Sequence, residues 1–129
     1  MAKRILLGAV VALLMLQGEA HANNACLLET NATFMDVALE IKDCIQNAGM
    51  DKNQFKAQCE GMSQAAVSMG GPAATISYLA ACPVPFKAKC DNTHTAKTIF
   101  FYYKRPDDEL ASLKFGCDLI KGRYTEGTL

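Results

Sequence analysis

The chain has 129 residues, 13 basic and 13 acidic side chains, and half of its residues are hydrophobic. That length predicts one domain, the apolar fraction excludes a disordered chain, and the balanced charge excludes a strongly basic nucleic-acid binder. There are six cysteines and no tryptophan.

The N-terminus has the pattern of a secretory signal. Lys3 and Arg4 precede an apolar run from Ile5 to Leu16, whose 12 residues fall short of the roughly 20 that a membrane-spanning helix needs. Ala20-His21-Ala22 then supplies a small-x-small cleavage site. The expectation is a signal peptide over 1–22, cut after Ala22, and one disulfide-stabilised mature domain over 23–129. No integral membrane segment remains after cleavage, and the product is periplasmic or secreted. Asn23-Asn24-Ala25 ahead of Cys26 is not the sequence that lipid attachment requires. Removal of 1–22 takes away Lys3, Arg4 and Glu19, leaving 107 residues with 11 basic and 12 acidic side chains, a net charge of −1. It also removes His21, so His94 is the single histidine of the mature chain.

In chain order, Phe34, Val37, Ala38, Ile41, Ile45 and Ala48 recur at the three-to-four spacing of a helix face, predicting a first helix within 31–48. Thr33 and Asp36 resemble a capping box, Gly49 a stop, and Asn31-Ala32-Thr33, a glycosylation sequon in form, reads as helix-start chemistry. A second helix begins at Asp51, with Gln54 as its box partner and Phe55, Cys59, Met62, Ala66 and Met69 on its inner face. Gly70-Gly71 ends it. Pro72 opens a third helix over 72–81, with Ile76, Leu79 and Ala80 buried. Cys82-Pro83-Val84-Pro85 is a stiff connection. The β-branched and aromatic run from Thr98 to Tyr103 is a covered strand. Asp107, Asp108 and Glu109 start a fourth helix, with Leu110, Leu113, Cys117 and Ile120 as its inner stripe and Gly122 as its end. Arg123-Tyr124-Thr125 returns as a short strand beside 98–103. The predicted fold class is thus α+β and mainly helical. Three N-terminal helices (helical part 23–82) precede a small β-α-β unit (90–129), all of it disulfide-stapled. No internal repeat is evident.

Cys26, Cys44, Cys59, Cys82, Cys90 and Cys117 are even in number and spread along an exported chain, which predicts three disulfides. Six cysteines allow fifteen connectivities, and spacing does not choose among them. No Cys-x-x-Cys pair is present to suggest a zinc ribbon or redox centre, and Cys90 with His94 is half a metal site at most.

Few chemistries find their residues here. Ser63, Ser68, Ser77 and Ser112 have no base beside them in sequence, and His94 stands alone. Asp107, Asp108 and Glu109 suit a helix start better than paired-carboxylate hydrolysis. Gly70-Gly71-Pro72 lacks the lysine and glycine fingerprint of a phosphate loop. Met50, Met62 and Met69 invite a copper reading, but Met62 and Met69 lie at core spacing on one helix face. The sequence therefore assigns no catalytic, cofactor or metal residues. Its remaining feature is an aromatic strip flanked by cations: Lys97, Phe101, Tyr102, Tyr103, Lys104 and Arg105. Such a strip suits single-stranded nucleic acid in a basic protein. In a neutral exported one it suits a protein interface, where Tyr and Arg are enriched. The function expected is a non-enzymatic exported protein that binds another exported or envelope protein, as inhibitors, immunity proteins and accessory proteins do. The alternatives are a small-ligand or lipid carrier with an apolar cavity between its helices, and a small hydrolase.

Overall fold

A computed structural model describes residues 23–128; the signal-peptide reading of 1–22 lies outside them. The described residues form a six-stranded antiparallel sheet with two helices, not a mainly helical bundle. The strands are β1 (Ala25–Phe34), β2 (Val37–Asn47), β3 (Thr75–Leu79), β4 (Ala88–Asn92), β5 (Thr98–Tyr102) and β6 (Arg123–Glu126). The helices are α1 (Lys52–Ser68) and α2 (Leu110–Leu119), the latter preceded by a 3₁₀ turn over Asp107–Glu109.

The expected first helix within 31–48 is instead the β1–β2 hairpin. Phe34 pairs with Val37 across a two-residue turn in which Met35 and Asp36 both take positive φ, 49° and 64°. These signs are those of a type I′ turn, whose twist matches the flanking strands. The usual Asn-Gly or Asp-Gly signal is absent, so the turn was hidden in the sequence. Thr33 and Asp36 consequently cap nothing, and Asn31-Ala32-Thr33 lies in a strand. The expected third helix is corrected as well. Thr75 to Leu79 holds β-branched Thr75 and Ile76 and aromatic Tyr78, and it pairs with β1 as an edge strand. β4 is a strand that the sequence does not announce, and β6 pairs with β4 rather than with β5. The second helix, the 98–103 strand and the fourth helix are where the sequence put them. Asp51 caps α1 by accepting from the N–H groups of Asn53 and Gln54.

The sheet order is β3-β1-β2-β5-β4-β6. Two ββαβ halves, β1-β2-α1-β3 and β4-β5-α2-β6, therefore run outward from the centre in the same order. This is an internal repeat that inspection of the sequence did not reveal. One row of directly paired residues crosses all six strands: Tyr78, Cys26, Ile45, Phe100, Cys90 and Tyr124. It reads Tyr-Cys-apolar from either edge, so an approximate two-fold axis passes through the Ile45–Phe100 pair. Each cysteine in the row is bonded to the eighth residue of its own half's helix, Cys26 to Cys59 and Cys90 to Cys117. Because paired residues share a face, both helices lie on the same side of the sheet. The two helices even share a short pattern, Phe55-Lys56-Ala57-Gln58-Cys59 and Leu113-Lys114-Phe115-Gly116-Cys117.

That helical face buries Cys26, Leu28, Ile45, Phe55 and Cys59, with Phe100, Ile76 and Tyr78 packed beside them. The opposite face buries Ala25, Leu27, Cys44, Phe101 and Tyr103 beneath the 80–87 connection. There Cys82 is bonded to Cys44, Phe86 meets Phe101 edge-on at 5.3 Å, and the Tyr103 hydroxyl donates to the Pro83 carbonyl at 2.7 Å. The three disulfides close separations of 33, 38 and 27 residues, each stabilising by roughly 3–4 kcal/mol in the chain-entropy model. Three such bonds place the chain in an oxidising compartment. No described helix is long and apolar enough to cross a membrane.

Candidate functional site

β5 is a central strand, and this decides where the aromatic-basic strip goes. Alternation sends Phe101 and Tyr103 into the core of the loop-covered face, 7% and 8% exposed. Tyr102 points to the helical face, half-buried, with the Arg105 guanidinium 5.4 Å from its ring centre. Lys97 is exposed in the turn before β5, where its own φ is positive. Lys104 is exposed beyond the other end of β5 and pairs with Glu40 at 2.5 Å. Arg105 pairs with Asp43 at 2.6 Å and more loosely with Glu109 at 3.5 Å. The six residues are thus divided between two faces and both ends of a strand, and only Lys97 and Lys104 are open to solvent.

The Asp43–Arg105 pair sits on the helical face, where α1 packs on β1 and β3 and α2 on β4 and β6, leaving β2 and β5 between them. Burial pushes the Asp43 carboxyl up from its ordinary value, and the hydrogen bond and charge of Arg105 partly offset this. For Arg105 the balance reverses: its burial disfavours the cation, yet Asp43 and Glu109 together hold it more firmly protonated than usual. Asp43, Arg105 and Glu109 thus form one ion cluster centred on the guanidinium.

Beside this cluster the β1–β2 hairpin outruns the rest of the sheet. β3 follows β1 only as far as Glu29, and β5 follows β2 only as far as Asp43, apart from one bond from the Tyr103 N–H to the Lys42 carbonyl. Residues 31–41 form an arm. Its helical face carries Ala32, Val37, Leu39 and Ile41, while Asn31, Thr33, Ala38 and Glu40 face the other way. Such alternation is the signature of a strand pair with one face to be covered. Its root meets the end of α1 and the following turn, where a Cβ on Gly71 would come within 3.1 Å of the Ala32 Cβ, and its tip is open. Met35 at the tip is 83% exposed and Val37 58%. At the root of the arm, Ala32, Leu39, Glu40 and Ile41 line an apolar cleft of about 240 Å³ with Met69 from the end of α1 and Arg105, Pro106 and Glu109 before α2. Glu40 and Ile41 are the strand's contribution at the level where β5 has ended.

Other surfaces are less coherent. Phe115, Leu119 and Ile120 of α2 are exposed, so Ile120 leaves the expected inner stripe, in which Cys117 is buried. Met62 and Met69 of α1 are also exposed rather than core. A larger cleft of about 610 Å³ at the start of α1 is lined by Asn23, Asn24, Asn47, Lys52 and Asn53 together with Met50, Phe55 and Tyr78. Phe55 and Met69, which the sequence puts on one inner helix face, line two separate clefts. His94 is exposed at a third cleft with Asp91, Lys121 and Arg123. Thr93 donates to the Asp91 carboxylate twice and holds it below its ordinary range. Buried Ser63 spends its hydroxyl on the Ala74 carbonyl. Among the described residues, no group of three or more His, Cys, Asp or Glu side chains could hold a metal ion.

The sequence reading missed the arm because Val37, Ile41 and Ile45 satisfy a helical period as well as the period of two. The useful signal was the alternation of polar Asn31, Thr33 and Glu40 with apolar Ala32, Leu39 and Ile41. The chain matches no protein family, no curated protein and no solved structure in comparisons with each.

Proposed function

We propose that this is an exported protein, released after Ala22 into a bacterial periplasm or the medium, that works without catalysis by binding another protein. The observation that carries the reading is the arm over 31–41: its tip is open at Met35 and Val37, and at its root half-buried Ala32, Leu39 and Ile41 meet the end of α1 and the turn after β5 only across an apolar cleft. A stapled sheet is a stiff platform for such an arm, and its stiffness lowers the ordering cost of association. An uncovered apolar surface next to a cleft with a few fixed charges is how protein interfaces are built. The aromatic strip contributes through Arg105, which carries charge at the root of the arm and lies over the Tyr102 ring, while Phe101 and Tyr103 hold its platform.

Site-specific photo-crosslinking in the native host tests this directly. A photoreactive residue at Met35 or Val37 is expected to give discrete higher-mass adducts, and one at exposed Asn53, by the start of α1, none. Identical adduct patterns at all three positions, or none at the arm, would overturn the reading.

A further inference from the structure

The arm exposes its backbone as well as an apolar face. In a hairpin closed by the Phe34–Val37 pair, hydrogen-bonded partners alternate down the ladder, so Ala38, Glu40 and Lys42 turn their N–H and C=O groups away from β1. The bond from the Tyr103 N–H to the Lys42 carbonyl confirms that direction. Above it β5 has left the sheet: Lys104, Arg105 and Pro106 turn off toward α2. Among the described residues, no backbone group bonds to the outward N–H and C=O of Ala38 and Glu40. The lane is open, since the 240 Å³ cleft lies along Leu39, Glu40 and Ile41 and has Pro106 on its far side.

We propose that this lane takes an extended segment of a partner protein as an added strand beside β2, with apolar and basic residues alternating in it. The inference deepens the protein-binding reading and rests on it. Strand addition uses the free groups of Ala38 and Glu40 for affinity, and the side chains on alternate faces for choice of partner. Residues of the segment on the helical face lie beside Leu39 and Ile41 and enter the cleft, whose 240 Å³ has room for a large aliphatic side chain. Residues on the other face lie beside Glu40. The charge there favours a cation. Asp36, Glu40, Asp43, Asp108 and Glu109 outnumber Lys42, Lys104 and Arg105, and the last turn of α1, which ends at Met69 beside the cleft, has no basic residue to offset its negative pole. A basic residue in the segment shares Glu40 with Lys104.

The test uses the mature protein, isotope-labelled for NMR, and three synthetic peptides. These are Ac-Thr-Val-Lys-Val-Lys-Val-Thr-NH2, the same peptide with Glu for Lys, and the same peptide with Ser for Val. The Lys-Val peptide is expected to shift the amides of 37–41, 69 and 107–109 and to slow hydrogen exchange at Ala38 and Glu40. It should bind about tenfold more tightly than the Glu-Val or Lys-Ser peptide, the size of one added charge or apolar contact. Ala38→Pro removes an outward N–H while sparing the β1–β2 ladder, and should abolish the exchange protection. Glu40→Lys should reverse the preference between the Lys-Val and Glu-Val peptides, an outcome that loss of folding cannot imitate. Equal affinity for the three peptides, shifts centred away from the arm, unchanged binding by Ala38→Pro, or no binding up to about 1 mM would each overturn the proposal. Adducts at Met35 or Val37 together with any of those results would leave a protein-binding arm that does not work by strand addition.

Discussion

Tyr103 shows how one residue can tie three parts of the molecule together. Its ring fills the core between β5 and the 80–87 connection, and its hydroxyl donates to the Pro83 carbonyl at 2.7 Å. Its N–H closes the sheet against Lys42. Burial, with a smaller contribution from the negative charge of Asp43, pushes the phenol up to about 12. In the unfolded chain it titrates near 10. The neutral form is therefore favoured by folding, and the stability it contributes is complete below pH 10. That contribution is lost progressively as pH rises from about 10 through about 12. Tyr103→Phe keeps the ring and leaves the Pro83 carbonyl short of a donor. It should cost about 1 kcal/mol at pH 7. It should also flatten the alkaline decline, which urea unfolding at pH 7, 9 and 11 would show. A variant that loses stability between pH 9 and 11 as steeply as the parent would place the titrating group elsewhere. Gly122 makes a comparable point about packing. A Cβ there would press on the Asn92 side chain and come within 2.6 Å of the Cys90 sulfur and 2.9 Å of the Cys117 sulfur. The turn from α2 into β6 can pass over that disulfide only without a side chain.

At the scale of elements, the sequence was legible where a local signal had no competitor. α1 has a capping aspartate, a buried stripe of Phe55, Cys59 and Ala66, and a Gly70-Gly71 stop. β5 is short, β-branched and aromatic, and α2 follows three acidic residues. The hairpin was not legible, because a stretch with apolar residues at 34, 37, 38, 41 and 45 fits periods of 2 and 3.6 almost equally well. What decides between them is pairing. The run at 25–28 is apolar on every residue and has to be buried on both faces, which fixes β1 in the sheet interior and recruits β2 beside it. β3 was masked in a different way, since Pro72 is as good a helix start as it is a loop residue. The cap of α1 gives a clean test of the element that was read correctly. Asp51→Ala removes the acceptor for the Asn53 and Gln54 N–H groups and should cost about 1 kcal/mol. Hydrogen exchange of the first turn of α1 should quicken by about five- to tenfold, the same energy expressed as a rate, with β4 and β5 amides unaffected. Uniform quickening across the sheet would show instead that α1 opens only with the whole molecule.

The halves of the whole molecule resemble each other more than their sequences suggest. Each lays a helix over its outer strands and bolts it to its first strand, yet one helix has 17 residues and the other 10, and one hairpin is more than twice as long. Such differences shift every spacing that a repeat search relies on, which is why the six cysteines give no hint in sequence of two equivalent pairs. They also place the functional candidate: the extra length of β1 and β2, with no counterpart in β4 and β5, is the arm itself. The topology has a covalent consequence. Cys44 is bonded to Cys82, in the connection just after β3, so no disulfide joins β1-β2-α1-β3 to β4-β5-α2-β6. Cleavage of the unreduced, denatured mature chain at methionine gives fragments 23–35, 36–50, 51–62, 63–69 and 70–129. With these bonds, 23–35 should remain linked to 51–62 and 36–50 to 70–129, while 63–69 is released alone. Subsequent trypsin, cutting after Lys87 or Lys89, should leave Cys44 attached to the piece holding Cys82 and free it from the piece holding Cys90 and Cys117. A mass spectrum in which Cys44 stays with Cys90 or Cys117, or in which 23–35 travels with 70–129, would mean that the halves are stapled to each other, and the two-fold arrangement of helix and strand would fall with it.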